Sequence, residues 1–249
     1  MGETGCVTFR FYEELNDLLP ENRRKRDFAV PLAGRRSVKD AIESLNVPHT
    51  EVDLILINGV PVGFDTLLAP GDRVSVYPLF ETLDIAGVQR LRERPLRDPK
   101  FVCDVHLGKL AGKLRLLGLD TLYRNDYTDV ELVTIQERER RAILACDRNL
   151  LKSNRVTRGC LVRSRVVPAQ VCEVVRRFDL AGDLRPFTRC AACNGILADV
   201  DAAMARPRIP AQTAAWCDRY RQCVSCGTLY WEGTHFARIQ AWVDGLRGG

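Results

Sequence analysis

Residues 101–126 read FVCDVHLGKLAGKLRLLGLDTLYRND, and this stretch decides the architecture of the larger part of the chain. FVCD is a short apolar strand. HLGKLAGKLRLLG then sets Leu107, Leu110, Ala111, Leu114 and Leu117 at helical spacing, and Gly118 ends that helix before the strand DTLYR. The pattern continues with a helix in DVELVTIQERER, a strand in AILA, a strand in GCLVR and a helix in PAQVCEVVRRF. Strands alternating with helices imply an α/β domain built on a parallel sheet.

In such a sheet the C-terminal strand ends share one edge, where ligands bind. Three acids follow that rule: Asp104 closes the first strand, Asp126 lies in the loop after the second, and Asp147 follows the third in ILACDRNLL. Converging carboxylates repel one another unless a divalent cation is present, so they predict Mg²⁺ or Mn²⁺, which activates water and neutralises a phosphodiester. Asp129 is a further acid whose plainer reading is the N-cap of the helix VELVTIQ. Asp120 begins a strand at the opposite end and reads as structural. No phosphate-cradling glycine loop follows the first strand, and no GxSxG elbow occurs.

Farther along, Cys190, Cys193, Cys223 and Cys226 have the spacing C-x2-C-x29-C-x2-C. Four thiolates in two such pairs, each followed closely by glycine in CAACNG and CVSCGT, predict a closed tetrahedral zinc site. With every position filled by sulfur, the zinc is structural. The other six of the ten cysteines are single, which suits a reducing compartment. Cys103 and Cys146 read as small buried hydrophobes, and Cys217 as a buried thiol.

The stretch RYRQCVSCGTLYWEGTHFAR gathers Arg219, Arg221, Tyr230, Trp231, His235 and Arg238 around the second cysteine pair. Cations beside aromatics suit single-stranded RNA, by phosphate contact and base stacking. Tyr230 either stacks on bases or packs the small zinc module, and Trp231 reads as core. The net charge of +5 is uneven: residues 1–90 hold 10 Lys and Arg against 14 Asp and Glu, and residues 91–249 hold 27 against 18. A basic excess in one part is an electrostatic footprint of nucleic-acid binding.

The N-terminal part has another pattern. CVTFRFY and DFAVPL are strands, Ser37 caps the helix SVKDAIESL, DLILINGVPVGF is a hairpin around Asn58-Gly59, and DRVSVYP follows a Pro-Gly turn. This order predicts a β-grasp module. LINGVPVGFDTLLAPGDRVSVYP resembles the sulfur carriers of molybdopterin and thiamine synthesis, but LFETLDIAGV stands where their diglycine would be, so the module reads as an adaptor for a protein partner. The expected boundaries are a ubiquitin-like module over 1–82, a basic Pro-containing linker over 83–100, an α/β domain over 101–185, and a zinc ribbon with a C-terminal helix over 186–249. The opening residues lack an apolar signal region and no run of eighteen apolar residues occurs, which points to a cytoplasmic protein with no membrane partner.

Together, FVCDVHLGKLAGKLRLLGLDTLYRND, ILACDRNLL, the two cysteine pairs and YWEGTHF resemble the Mut-seven C-terminal RNase domain, a PIN-like nuclease fold with an appended zinc ribbon. A ubiquitin-like module precedes that domain in some bacterial members. The resemblance implies metal-dependent hydrolysis of RNA, carried onto Asp104, Asp126 and Asp147. Nothing catalytic is carried onto His106, where members of the family present methionine or a similar residue. The alternative is a non-catalytic RNA-binding adaptor that keeps the fold and ribbon.

Overall fold

The computed structural model describes residues 5–78 and 99–247, apart from the side chains of Thr234 and His235. Residues 83–98 of the expected linker fall outside that range. The described residues form two compact units, one of 5–78 with 145–161 and the other of 99–144 with 162–247.

In the first unit, β1 (Cys6–Phe11) alternates so that Val7, Phe9 and Phe11 are buried, as period-two apolar spacing requires. β2 (Phe28–Pro31) pairs antiparallel with β1 and adds Phe28, whose ring stacks on Phe9 and Phe11 at 6.4 and 6.1 Å. Helix α1 (Val38–Ser44) starts where the Ser37 hydroxyl accepts the Asp40 amide, and it buries Val38, Ala41 and Ile42. β3 (Val52–Ile57) and β4 (Val60–Pro61) form the expected hairpin. At its tip Asn58 and Gly59 have φ of 51° and 85°, the left-handed pair a two-residue hairpin demands. β5 (Arg73–Pro78) runs parallel to β1 and antiparallel to β3, giving the order β2-β1-β5-β3-β4. This mixed sheet with one helix is the β-grasp arrangement.

The second unit begins with β6 (Phe101–Cys103), every residue of which is buried. After a 3-10 turn at Val105–Leu107, α2 (Gly108–Leu116) buries Leu110, Ala111 and Leu114, and Leu107 and Leu117 complete the predicted apolar stripe. β7 (Thr121–Leu122) lies parallel to β6 on one side. Helix α3 (Asp129–Glu139) leads to β8 (Ala142–Ala145), parallel to β6 on the other side with Cys103 opposite Leu144. The parallel sheet is therefore present, with β6 an inner strand between β7 and β8.

Asp129 is not the cap of α3. Thr128 is: its hydroxyl accepts the Glu131 amide while the Glu131 carboxylate accepts the Thr128 amide, a reciprocal capping box that leaves Asp129 as the first helical residue.

The chain then joins the first unit through α4 (Arg148–Lys152) and β9 (Gly159–Leu161), both packed against the short 3-10 helix His49–Glu51. Returning to the second unit, α5 (Val167–Arg177) opens with Pro168 in its first turn and buries Val171, Val174 and Val175 on one face. The segment that carries the two cysteine pairs contains β10 (Leu197–Val200), α6 (Ala202–Ala205), α7 (Ala211–Ala214), β11 (Tyr220–Cys223) and β12 (Leu229–Trp231), with the three strands in an antiparallel meander, the ribbon. Helix α8 (Thr234–Arg247) follows.

Gly118 carries two constraints at once. Its φ is +90°, and a Cβ there would run into the carbonyl oxygen of Arg185. Backbone cannot swing aside as a side chain can, so Gly118→Ala should destabilise the second unit by at least about 2 kcal/mol, which urea unfolding would register. Gly59, at φ +85° but with nothing within 4 Å, is the control. Alanine there should cost only about 1 kcal/mol.

Candidate metal centre and acidic strand ends

The two cysteine pairs meet. One ligand atom from each of Cys190, Cys193, Cys223 and Cys226 lies within 4.8 Å of the others, and among the described residues this is the group of His, Cys, Asp or Glu that could hold a metal ion. Sulfurs bound to one zinc at about 2.3 Å in a tetrahedron sit about 3.8 Å apart. Cys190 to Cys226 is 3.6 Å and Cys193 to Cys223 is 3.4 Å, so the quartet is consistent with zinc. Cys217 stands outside it, buried, with its thiol facing the carbonyl oxygens of Arg219 and Glu232.

Local geometry explains the knuckles. Gly227 has φ +73°, whereas in the first knuckle Asn194 takes the left-handed conformation at φ 71°. Gly195 is needed for a different reason: a Cβ there would sit 2.8 Å from Cys223 Sγ. The Tyr230 hydroxyl donates to Cys190 Sγ at 3.2 Å and accepts from the Ala191 amide at 3.0 Å. Burial pushes its phenol pKa up, and so does the bond to Cys190. The thiols differ in the same way. Desolvation among the sulfurs pushes Cys193 up to about 12 although the residue as a whole is exposed, and bonds from Thr228 pull Cys226 down to about 6.

The ribbon is fastened to the parallel sheet by buried polar groups. Arg115 on α2 donates to the carbonyls of Thr121, Ala191 and Ala192, and burial pulls its pKa down. Asn194 accepts the Thr121 amide and donates to Asp120. Burial by itself would raise the Asp120 carboxyl. Hydrogen bonds from Arg141 and Asn194, with the charges of Arg141 and Arg189, outweigh it and hold the group below the usual carboxylate range. Asp120 is thus structural, as its place at the start of β7 suggested.

The acids at the other strand ends differ from one another. Asp104 is 5% exposed, its amide donates to the Leu144 carbonyl, and its side chain accepts the His106 amide at 2.8 Å. Asp147 is exposed and accepts the Asn149 amide at the start of α4. Asp126 is exposed and ion-paired with Arg124, which also reaches Glu131. Asp104, Asp126 and Asp129 form no group of three ligand atoms within 4.8 Å. The Tyr123 hydroxyl donates to the Val105 carbonyl and so ties the loop after β7 to the turn that follows Asp104. His106 is exposed, and so is Cys146, in contrast to the expectation of a buried thiol. Cys146 stands one residue past the end of β8, where the strand has left the core.

Along β11 and β12 a cleft of about 500 Å³ is lined by Arg219, Arg221, Tyr230 and Trp231, by the acids Asp199, Asp218 and Glu232, and by the stacked rings of Phe187 and Phe236. Trp231 is not core: it is exposed at the last position of β12. Arg221 is held by Asp199 and the Phe187 carbonyl, Arg219 faces Glu232 at 3.6 Å, and Arg238 is exposed on α8. The side chain of His235 lies outside the described residues.

Comparison with protein families matches residues 99–243, more than half of the chain, to the Mut7-C RNAse domain. The chain belongs to the Mut7-C RNAse domain family. Residues 4–84 match the Mut7-C ubiquitin model, in the order the sequence predicted. No curated protein and no solved structure matches the chain. The Mut7-C range takes in the parallel sheet, the cysteine quartet and residues 145–161, which pack within the first unit. Family membership gives the domain a nuclease-like character and RNA as the suggested substrate. Among the described residues no helix is long and apolar enough to cross a membrane.

Sequence reasoning missed Arg115, Tyr123, Asn194 and the exposure of Trp231. Only Asn194 left a trace, as the residue between Cys193 and Gly195 in a knuckle that needs a left-handed position.

Proposed function

We propose that the Mut7-C domain is a ribonuclease that hydrolyses RNA phosphodiester bonds with Mg²⁺ or Mn²⁺ held by Asp104, Asp126 and Asp147, Asp129 being an additional acid. The observation that carries this reading is Asp104, a carboxylate 5% exposed at the C-terminal end of an inner parallel strand, in a domain matched by an RNAse model. Asp126 and Asp147 follow the neighbouring strands β7 and β8 in sequence, which supports their assignment. A cation there would supply an activated water and neutralise the scissile phosphate. Zinc in the cysteine quartet is structural, since four thiolates leave no place for a reacting water. Arg219, Arg221, Tyr230, His235 and Arg238 receive the RNA strand, the ubiquitin-like module serves a protein partner, and the setting is the reducing cytoplasm.

A second reading, a non-catalytic RNA-binding adaptor, has one observation in its favour: Asp126 is engaged by Arg124. Purified protein incubated with labelled single-stranded RNA, with and without Mn²⁺, separates the two. Cleavage only with the metal is expected, and RNA bound but never cut would select the adaptor. Binding itself should fall steeply with salt, because residues 91–249 carry 27 basic against 18 acidic groups. With about four phosphate contacts the affinity should drop roughly 50-fold between about 50 and 200 mM salt.

A further inference from the structure

We propose that the ubiquitin-like module clamps residues 145–161, with His49 and Glu51 as positioning residues for Asp147; the catalytic part of this inference rests on the ribonuclease reading. The 3-10 helix His49–Glu51 is an unusual place to bury polar groups. His49 is 7% exposed, Thr50 1% and Glu51 2%. Buried charge is costly unless it is fully partnered, so the partners show what the burial accomplishes. Two of those partners, Val156 for His49 and Leu161 for Glu51, lie more than a hundred residues away in sequence.

The Glu51 carboxylate accepts the Leu161 amide at 2.9 Å. His49 Nε2 donates to the Val156 carbonyl at 2.7 Å, while Nδ1 is hydrogen-bonded to the Glu43 side chain at 2.6 Å. Two exposed bonds flank this buried pair, from Lys39 to Asn154 and from Lys152 to Asn46. Between them Leu150, Leu151, Val156, Cys160 and Leu161 are no more than 5% exposed. Apolar contact alone would hold the segment, but directional bonds to two of its backbone groups fix its register.

That register matters because Asp147 caps α4, the helix at the front of the clamped segment. Leu150 and Leu151 of α4 are buried, and Lys152 at its end is bonded to Asn46. The helix that orients the Asp147 carboxylate is therefore seated on the ubiquitin-like module. A module serving only to recruit a partner would not bury a carboxylate and an imidazole against a segment that the RNAse model claims.

The test uses the full chain with Glu51→Ala, the conservative Glu51→Gln, which keeps an oxygen for the Leu161 amide, and Asn46→Ala. Hydrogen exchange is read amide by amide, and cleavage is read against Mn²⁺ concentration. In Glu51→Ala the amides of Leu150, Leu151 and Leu161 should exchange at least about tenfold faster, with those of β1 and β5 unchanged. Cleavage should fall about tenfold in kcat with RNA affinity and zinc content unaltered, and Glu51→Gln should restore most of it. Asn46→Ala should loosen α4 selectively.

Exchange unchanged in α4 and β9, or raised equally in β1 and β5, would overturn the clamp. Faster exchange with cleavage intact would overturn the positioning of Asp147. If the parent protein cuts no RNA, the ribonuclease reading fails while the exchange pattern still decides the clamp.

Discussion

Cys193→Ser is expected to empty the metal site and to dismantle β10, β11 and β12. A site of four thiolates contributes on the order of 10 kcal/mol to folding in small zinc domains, far more than the ribbon's small apolar core supplies. The damage should also spread. Arg115 is buried and gives two of its bonds to Ala191 and Ala192 in the first knuckle, so a melted knuckle leaves a guanidinium without those acceptors inside the second unit. Elemental analysis should find less than about half an equivalent of zinc in the variant, against one in the parent purified without chelator. Near-parent stability in a metal-free variant would show that the quartet is held by packing instead.

The second large effect is on catalysis. Asp104→Asn keeps the size of the side chain and an oxygen for the His106 amide, but it removes a negative charge from the proposed cation shell. Cleavage should fall by about 10²–10³ or more, while thermal stability shifts by about 1 kcal/mol at most, the range of a conservative change at a cap. Asp129→Asn is the contrast, since Thr128 and Glu131 already cap α3 and Asp129 is exposed beside them. Its effect on stability should be small, so any loss of cleavage there reports on the cation and not on the helix. Unchanged cleavage by Asp104→Asn would falsify the assignment of Asp104 to the reacting centre.

What could be read in the sequence was local. Asn58-Gly59, Ser37, the leucine spacing from Leu107 to Leu117 and the two cysteine pairs each announce their structure within a few residues, because turns, caps, helical faces and knuckles are set by near neighbours. The errors arose where two local signals competed or where long range decided. Asp129 and Thr128 are both good caps, and Glu131, three residues beyond Thr128, settled the matter. Cys146 and Trp231 have apolar neighbours but stand at the ends of their strands, where exposure depends on what covers the end. The partnership of Glu51 with Leu161 spans 110 residues and leaves no periodicity to detect.

The bonds that fasten the ribbon have a consequence for the nascent chain. Arg115 leaves the ribosome 76 and 77 residues ahead of the two knuckle carbonyls it needs, and Thr121 leaves 73 residues ahead of Asn194. Until the knuckles form, a charged side chain and a strand edge that the finished domain buries stay open to solvent, chaperones and proteases. Cells short of zinc should therefore lose this protein to quality control soon after synthesis, and a pulse of radiolabel chased with and without a zinc chelator would show the difference in half-life.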